Sequence, residues 1–334
     1  MRVAVFSTKP YDESFLRAAN EKTGHQFDFF EERLNKNTVS LAKDHDAVCA
    51  FVNDTLTAPV LDALHAQNVR FVALRCAGFN QVDLRHAQSL GIKVAHVPAY
   101  SPYAVAEFAL TLIMALNRKI HRAYNRVRDG NFSIEGLVGF DLNGCTVGVI
   151  GTGRIGLVFS RLMSGFGVNI LGHDHFHNPS FQDEGGRYVD LDTLFSESDI
   201  ISLHCPLTPE TFHMVNSETI ARMKKGVMIV NTSRGALVDA SAVIDGLKSG
   251  QIGYMGLDVY EQEADVFYEN LSETIIGDDV LQLLIGFPNV LITSHQAYFT
   301  DNALRNIAET TIRNLTVFEK GGSLENEVTV KMIH

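Results

Sequence analysis

Three side chains that could together reduce a keto acid follow a glycine-rich motif in this sequence. Arg234, Glu263 and His295 all come after Gly151-Thr-Gly-Arg-Ile-Gly156. An arginine can bind a carboxylate through two parallel hydrogen bonds, and a histidine can donate a proton near neutral pH. A nearby carboxylate keeps the imidazole charged and oriented. These are the requirements of hydride transfer to a 2-keto acid.

Each of the three residues also has an ordinary explanation when it is taken alone. The arginine could form a surface ion pair, the glutamate could face solvent, and the histidine could be structural. However, each follows an apolar run that is typical of a strand, at residues 227–231, 253–257 and 290–293. Since the carboxyl ends of parallel strands share one edge of a sheet, where such folds bind ligands, the joint placement favours a single site.

The glycine motif has the context that a dinucleotide site requires. An apolar strand pattern, residues 147–150, precedes it, and a helical pattern, residues 157–163, follows it. Gly151 permits the tight turn, Gly153 lets the backbone approach a pyrophosphate, and Gly156 lets helix and strand pack closely. The N–H groups at the start of the helix then face the anion.

Asp174 follows the next predicted strand, where an acid can accept hydrogen bonds from the ribose hydroxyls. A 2′-phosphate would meet like charge at this position, and the neighbouring His175 is not an arginine. The sequence therefore predicts NAD rather than NADP. His173, His175 and His177 alternate around Asp174, but no second ligand cluster follows, so we expect no metal.

The order of elements predicts two domains. Strand and helix patterns alternate through the first hundred residues, Pro98–Pro102 forms a connection, and a second series begins at Thr146. The length of 334 residues agrees with this number of domains. We expect an α/β protein with two doubly wound, Rossmann-like parallel sheets.

Composition excludes several classes of protein. A hydrophobic content of 46% argues against disorder, and a formal net charge of −11 without a basic cluster argues against nucleic-acid binding. The scattered cysteines Cys49, Cys76, Cys145 and Cys205 predict buried free thiols of a reducing compartment. No apolar stretch reaches the length of a membrane helix or a signal sequence. We expect a cytoplasmic protein that binds no membrane.

Segments along nearly the whole chain carry a family resemblance. The chain resembles the D-isomer-specific 2-hydroxyacid dehydrogenases, with the closest likeness to the bacterial fermentative NAD-dependent D-lactate dehydrogenases. The segments that match are FVND 51–54, LRCAGFNQVDL 74–84, VPAYSPYAVAE 97–107, NFSIEGLVGF 131–140, GVIGTGRIG 148–156, FSESDIISLHCPLTPET 195–211, MIVNTSRGALVD 228–239, LDVYEQE 257–263 and SHQAYFT 294–300.

The resemblance implies a role for each matching residue. His295 would be the proton donor, Glu263 its partner and Arg234 the cation that binds the substrate. The remaining substrate positions would be the backbone of Cys76, Ala77, Gly78 and Phe79 and the side chains of Tyr100 and Tyr298. The cofactor positions would be Gly151, Gly153, Arg154, Ile155, Gly156, Asp174, Cys205, Pro206, Thr211, Thr232, Ser233, Arg234 and Asp258.

The resemblance also implies an organisation and a reaction. A substrate domain of residues 1–100 and 298–334 would surround an inserted NAD-binding domain of residues 101–297. We expect reduction of pyruvate to D-lactate by NADH in a homodimer or homotetramer, with residues 101–128 and 131–140 as candidate contacts. The aromatic residues Phe51, Tyr100 and Tyr298 would limit the pocket to a small side chain. The segment from Asp265 to Asp279 is longer than in glycerate-type relatives.

Two alternatives share these sequence features. A reductase of glyoxylate, hydroxypyruvate or 2-ketoisocaproate would use the same chemistry, and a substrate panel separates these enzymes. Some related chains serve instead as NADH-sensing binding modules. The retained set of Arg234, Glu263 and His295 weighs against that second reading.

Overall fold

The computed structural model describes residues 1–263 and 266–332. The chain divides into two compact units: residues 1–101 together with the chain from Phe299 onward, and residues 102–298. Each unit is built on one parallel β-sheet, which confirms the predicted fold class. Within the described part of the chain, no helix is both long and apolar enough to cross a bilayer.

The first unit has a five-stranded sheet in the order β2-β1-β3-β4-β5. Its strands are β1 Arg2–Val5, β2 Gln26–Phe29, β3 Ala47–Ala50, β4 Phe71–Leu74 and β5 Lys93–Ala95. Its helices are α1 Pro10–Asn20, α2 Ala58–Ala66, α3 Leu84–Ser89 and, near the end of the chain, α12 Asp301–Glu319. Short 3-10 turns lie at Val39–Ala42 and Val330–Met332.

The core of this unit explains why the C-terminal helix belongs to it. Every residue of β3 and β4 is buried, as expected for strands that are covered on both faces. Helix α12 packs its apolar face against this sheet, and the ring of Phe318 stacks on Phe71 with centroids 4.4 Å apart. Thr300 caps the helix by accepting a hydrogen bond from the Ala303 N–H.

The second unit has a seven-stranded sheet in the order β12-β11-β10-β9-β6-β7-β8. Its strands are β6 Thr146–Ile150, β7 Asn169–His173, β8 Arg187–Tyr188, β9 Ile200–Leu203, β10 Val227–Asn231, β11 Ile252–Leu257 and β12 Val290–Ile292. Its helices are α4 Pro102–Arg118, α5 Ile120–Arg128, α6 Arg154–Ser164, α7 Pro179–Asp183, α8 Leu191–Glu197, α9 Ser217–Arg222, α10 Ala240–Ser249 and α11 Asp279–Gly286, with a 3-10 turn at Gly235–Leu237.

Strand register decides which residues meet at the edge of this sheet. Asn231 pairs with Leu257, and Leu257 pairs with Ile292, so β10, β11 and β12 end side by side. The chain order reverses between β6 and β9, which is the switch point at which such sheets bind nucleotides. Apolar side chains cover both faces of the sheet, with those of α4 and α6 on one face.

The structure adds detail that the sequence did not predict. The charged residues that follow Arg118 form a separate helix, α5, because Lys119 adopts a left-handed backbone conformation with φ of 49°. None of the residues of α5 is buried, so its arginines lie on a solvated face. Strand β8 and helix α7 were also not predicted. Among the cysteines, Cys145 is only half-buried, because it lies in the turn before β6 rather than inside a strand.

Candidate active site

The glycine loop joins β6 to α6 at the switch point of the second sheet. Gly151 has a φ of 93°, and a Cβ there would lie 2.6 Å from the backbone nitrogen of Cys205. A Cβ at Gly156 would meet the carbonyl oxygen of Gly151 at 1.9 Å. At Gly153 it would meet no atom of the described residues within 4 Å, and the N–H groups of Arg154 and Ile155 begin the helix beside it. Only glycine therefore fits at positions 151 and 156. Gly153 leaves the backbone accessible to a phosphate.

Asp174 follows β7, the strand next to the glycine loop, and is bonded to that loop. Its carboxylate accepts hydrogen bonds from the Thr152 N–H at 2.7 Å and from the Phe176 N–H at 3.1 Å. The hydroxyl of Tyr188 contacts Thr152 Oγ1 at 2.6 Å and accepts from the Asn178 N–H. Asp174 therefore lies beside the glycine loop, and its contact with the ribose hydroxyls stays a prediction.

His295 and Glu263 form a charge-assisted pair at the carboxyl edge of the same sheet. The imidazole Nδ1 donates to Glu263 Oε1 at 2.7 Å, and Oε2 accepts from the Tyr260 N–H at 2.9 Å. Both side chains are about one-fifth exposed, and Nε2 has no hydrogen-bond partner among the described residues. Because Nδ1 must carry its hydrogen toward the carboxylate, Nε2 is the atom left to exchange a proton.

The backbone of His295 is held in an uncommon conformation. Its φ is 55°, in the left-handed region that a residue with a Cβ seldom adopts. Its N–H donates to the Asp258 carbonyl at 2.7 Å, and its carbonyl accepts from the Tyr268 hydroxyl at 3.2 Å. Such strain persists only where surrounding bonds enforce it, and it concentrates at functional sites.

Asp258 makes several of the hydrogen bonds that hold the backbone of His295 in this conformation. Its side chain is fully buried and accepts hydrogen bonds from the Thr293 hydroxyl and the N–H groups of Gln296 and Ala297. Burial raises the pKa of Asp258, although these hydrogen bonds act in the opposite direction. The carboxylate therefore fixes the turn that carries His295. These bonds lie within the protein, and the cofactor contact that the sequence predicted for Asp258 stays a prediction.

Arg234 lies after β10 in a turn that a buried asparagine organises. Asn231 is fully buried; its Nδ2 donates to the Arg234 carbonyl, and its Oδ1 accepts from the Ser233 N–H. The guanidinium donates to the Ser233 carbonyl at 2.8 Å. Among the described residues it has no carboxylate partner, so most of its donors remain available for an anion.

The residues after Glu263 add a contact to this site. Ala264 and Asp265 lie outside the described residues. The start of the long segment that the sequence placed from Asp265 to Asp279 therefore lies outside them as well. The N–H groups of Val266 and Phe267 donate to the Glu263 carbonyl. Tyr268 reaches His295 from this segment, with ring centroids 6.0 Å apart. The segment thus supports both members of the imidazole–carboxylate pair.

The remaining predicted cofactor residues surround the ends of β9 and β10. Cys205 is buried, which raises its thiol pKa to about 12, and its carbonyl accepts from the Ser233 hydroxyl. Thr211 bonds the Pro206 carbonyl. The hydroxyl oxygen of Thr232 is buried without a hydrogen-bond partner in the described chain. An orphaned buried hydroxyl after β10, at the carboxyl edge of this sheet, fits a site for a polar ligand such as a dinucleotide.

The predicted substrate residues of the first unit follow its strand β4. Cys76 is buried, whereas Ala77, Gly78 and Phe79 are partly exposed. Tyr100 is half-buried, and its carbonyl accepts from Asn306. Tyr298 ends the second unit and is 8% exposed. Phe51, buried as well, packs under the guanidinium of Arg75, with 4.7 Å from the arginine carbon to the ring centroid.

The histidines around Asp174 have other contacts. His173 bonds the Val189 carbonyl, and the ring of His177 stacks on Tyr188. The part of the chain that the structure describes contains no group of three or more His, Cys, Asp or Glu side chains that could hold a metal ion.

Comparison with known proteins decides the family. The profile of the D-isomer specific 2-hydroxyacid dehydrogenase NAD binding domain matches residues 110–297. The chain is 52% identical to the D-lactate dehydrogenase of Escherichia coli over 328 residues, which cover 98% of this chain and 100% of that one. The chain belongs to the D-isomer specific 2-hydroxyacid dehydrogenase family. It is therefore an NAD-dependent enzyme.

Solved structures of similar proteins agree with this assignment. The pyruvate reductase of Chlamydomonas reinhardtii superposes on the dehydrogenase with a TM-score of 0.92 at 43% identity, covering 98% of each chain. The D-lactate dehydrogenase of Lactobacillus jensenii with NAD+ gives a TM-score of 0.83 at 32% identity, covering 98% of this chain and 100% of that one.

Several residues that shape the site of the dehydrogenase were missed by sequence reasoning. Asn231, Thr152 and Tyr268 each fix a loop that carries a predicted residue. Asn231 ends a strand and Thr152 lies inside the glycine motif. Their positions in the sequence could have identified them as site residues, whereas their residue types could not. Tyr268 gave none, since its contact with His295 spans 27 residues.

Proposed function

We propose that the protein is a D-lactate dehydrogenase that reduces pyruvate with NADH and a proton, giving D-lactate and NAD+. The observation that carries this proposal is the His295–Glu263 pair, with Nδ1 on the carboxylate and Nε2 without a described partner. The similarity to the D-lactate dehydrogenase of Escherichia coli over nearly the full length supports the choice of substrate.

The proton in this proposal comes from His295. Bound NADH would supply the hydride for the carbonyl carbon, and the carbonyl electron pair would then move onto the oxygen that His295 protonates. Nε2 of the charged imidazole donates its proton to that oxygen, while Glu263 stabilises the charged ring and fixes its orientation. Asp258 positions this acid through the turn of residues 293–297, and we propose no direct proton transfer for it.

Arg234 provides the cation in this proposal. Its guanidinium lacks a described carboxylate partner, and Asn231 and Ser233 fix its backbone. The planar fork can bind the substrate carboxylate through two bonds and polarise the adjacent carbonyl. The backbone of residues 76–79 in the first unit contributes further donors to the carboxylate, and Tyr100 and Tyr298 limit substrate size.

The cofactor contacts in this proposal follow the geometry of the glycine loop. The N–H groups at Arg154 and Ile155 would bind the pyrophosphate, and Asp174 would bind the ribose hydroxyls. Thr232 and Ser233, together with Cys205, Pro206 and Thr211, would line the rest of the NAD site. The buried hydroxyl of Thr232 lacks a described partner and would be free to bond the cofactor.

We further propose a cytoplasmic homo-oligomer, a dimer or a tetramer. Phe132, Ile134 and Val138 are 75%, 82% and 79% exposed on one short segment. Lys119 anchors that segment by donating to the Gly136 and Val138 carbonyls. Exposed apolar side chains on an anchored segment are typical of a subunit contact. The test is sedimentation of Ile134→Lys, which should lower the oligomeric state, beside Ile275→Lys at a 95% exposed site as control.

A substrate panel with chiral product analysis tests the enzymatic proposal. Pyruvate should give the highest kcat/KM among pyruvate, glyoxylate, hydroxypyruvate, 2-ketoisocaproate and phenylpyruvate, with NADH preferred over NADPH and D-lactate as the product. His295→Ala should lower kcat by roughly 10²–10⁴-fold and leave NADH binding unchanged. Faster reduction of another keto acid would contradict the assigned substrate, and NADH binding without oxidation by any of them would indicate a sensing module.

A further inference from the structure

Three successive backbone donors of the first unit have no acceptor among the residues that the structure describes. The N–H groups of Ala77, Gly78 and Phe79 donate to no atom of residues 1–263 or 266–332. All three residues are partly exposed, in the loop that follows β4. Successive N–H groups in a loop form an anion-binding concavity when their directions are fixed. Other contacts must fix the directions of these donors, and the role proposed below for one such contact rests on the proposed binding of the substrate carboxylate by this loop.

The carbonyl groups of the same peptide units are held. The Cys76 carbonyl accepts from the Val97 N–H at 3.1 Å, and the Gly78 carbonyl accepts from the Cys76 thiol at 3.2 Å. Between them, the Ala77 carbonyl accepts from His96 Nδ1 at 2.8 Å. A carbonyl oxygen can only accept, so Nδ1 carries the hydrogen of this bond.

Holding these carbonyls orients the donors. A trans peptide unit is planar, and its C=O and N–H point in opposite directions. A bond to the Cys76, Ala77 or Gly78 carbonyl therefore aims the N–H of the following residue away from that bond. Of the three bonds, the one from His96 is the only strong one made by a side chain, because a thiol is a weak donor.

His96 is itself fixed by the C-terminal part of the unit. Its N–H donates to the Asn326 carbonyl, and its carbonyl accepts from Asn314 Nδ2 at 3.0 Å. Asn326 Nδ2 in turn bonds Asn314 Oδ1 at 3.0 Å. The ring is 8% exposed and meets the ring of Phe79 edge to face, with centroids 5.6 Å apart. The imidazole thus contacts the loop at two residues and cannot easily turn away.

We propose that His96 is a positioning residue for the substrate carboxylate. It acts through the Ala77 carbonyl, which it holds so that the Gly78 N–H faces the anion. Nothing in this role requires His96 to touch the substrate or to change its protonation. The sequence predicted the donors of residues 76–79 but not His96, which lies 19 positions after Ala77 in the chain.

The test compares two substitutions of similar size. His96→Asn keeps an N–H donor near the Nδ1 position, whereas His96→Leu removes the donor and keeps the volume. His86→Leu is the matched control, because the ring of His86 bonds the exposed Asp62 carboxylate rather than this loop. For each purified protein we would measure kcat and KM for pyruvate, the dissociation constants of oxamate and NADH, and the thermal midpoint.

His96→Leu should raise the KM for pyruvate and the dissociation constant of oxamate by roughly 2- to 10-fold, as the loss of one hydrogen bond predicts. The value of kcat and the affinity for NADH should stay within about twofold of the wild type, and His96→Asn should recover most of the loss. Should His96→Leu fail to fold, His96→Gln replaces it, since its amide reaches the Nε2 rather than the Nδ1 position.

Two results would overturn the role of His96 while leaving the enzyme assignment intact. One is an unchanged KM and oxamate affinity in His96→Leu. The other is equal impairment in His96→Asn and His96→Leu, which would indicate packing rather than the hydrogen bond. A wild type that neither reduces pyruvate nor binds oxamate would instead overturn the proposed function, and this inference with it.

Discussion

Replacing Glu263 by glutamine tests the imidazole–carboxylate pair, because an amide cannot serve both of its present donors. Oε1 accepts from His295 Nδ1 and Oε2 from the Tyr260 N–H. If the amide oxygen faces Nδ1, the NH2 group meets the Tyr260 N–H. If it faces Tyr260, the NH2 group meets Nδ1, which must then lose its hydrogen. Both arrangements disfavour the charged imidazole.

The size of the effect follows from the kind of bond that is lost. Hydrogen bonds to charged groups contribute roughly 1.5–3 kcal/mol, and each 1.36 kcal/mol corresponds to about a tenfold change in rate. Reduction needs the protonated ring, so kcat/KM falls as pH rises. Without the carboxylate, kcat/KM at neutral pH should fall by roughly 10- to 100-fold, and its decline with rising pH should begin at lower pH. The side chains are only about one-fifth exposed, so solvent screening removes part of the effect but not all of it.

The assay is the pH dependence of NADH oxidation with pyruvate, followed by absorbance for the wild type and two variants. Glu261→Gln is the matched control, because Glu261 lies on the same loop and pairs with His213 at 3.0 Å rather than with His295. Its pH profile should coincide with that of the wild type. A profile of Glu263→Gln that also coincides would refute the assigned role of the carboxylate, whatever its effect on the maximal rate.

Three further predictions concern binding and stability. Arg234→Lys should raise the KM for pyruvate by roughly 10- to 100-fold at saturating NADH, because an ammonium cannot make two parallel bonds, and an unchanged KM would contradict that contact. Asp258→Asn should lower the free energy of unfolding in urea by roughly 1–3 kcal/mol and should reduce kcat. Thr293→Val removes only one of the bonds to Asp258, so it should lower the free energy of unfolding and kcat by smaller amounts. Burial lowers the pKa of His204 to about 3, below the unfolded value of about 6.5, so the unfolded chain takes up a proton first as pH falls. Stability that is present above pH 6.5 should fall by about 2 kcal/mol between pH 7 and 5, and His204→Gln should flatten that dependence.

Local pattern accounts for what the sequence predicted well. The two series of strands and helices, the glycine loop and the strand-end positions of Arg234 and His295 all follow from residues close together in the chain. Boundaries differ slightly, as for β11, which was predicted at residues 253–257 and is observed at Ile252–Leu257. Helix α5 was not separated from α4 because its start depends on one left-handed residue, Lys119, whose type gives no such signal.

Contacts between distant residues account for what the sequence could not predict. Asp258 reaches donors 35 to 39 residues further along the chain, and its neighbours in sequence are the apolar residues of a strand. An acid at a strand end is equally compatible with a ligand contact and with a turn contact. Only the register of β11 against β12 brings Asp258 to the turn of residues 293–297.

Both kinds of residue, those identified from local pattern and those that act through distant contacts, should control catalysis. Arg234, Glu263 and His295 have side chains whose chemistry can be read from their type, so sequence alone identifies them. The strained φ of His295 has another origin: the Asp258 carbonyl holds its N–H, the Asp258 carboxylate holds the next two N–H groups, and the Tyr268 hydroxyl holds its carbonyl. A displacement of about 1 Å at a reacting group can cost roughly 100-fold in rate. Substitutions of Asp258 and Tyr268 should therefore affect kcat nearly as strongly as substitution of His295 itself. A substitution at Tyr268 that removes only its hydroxyl should therefore lower kcat more than it changes the KM for pyruvate, and the opposite pattern would place Tyr268 among the substrate-binding residues.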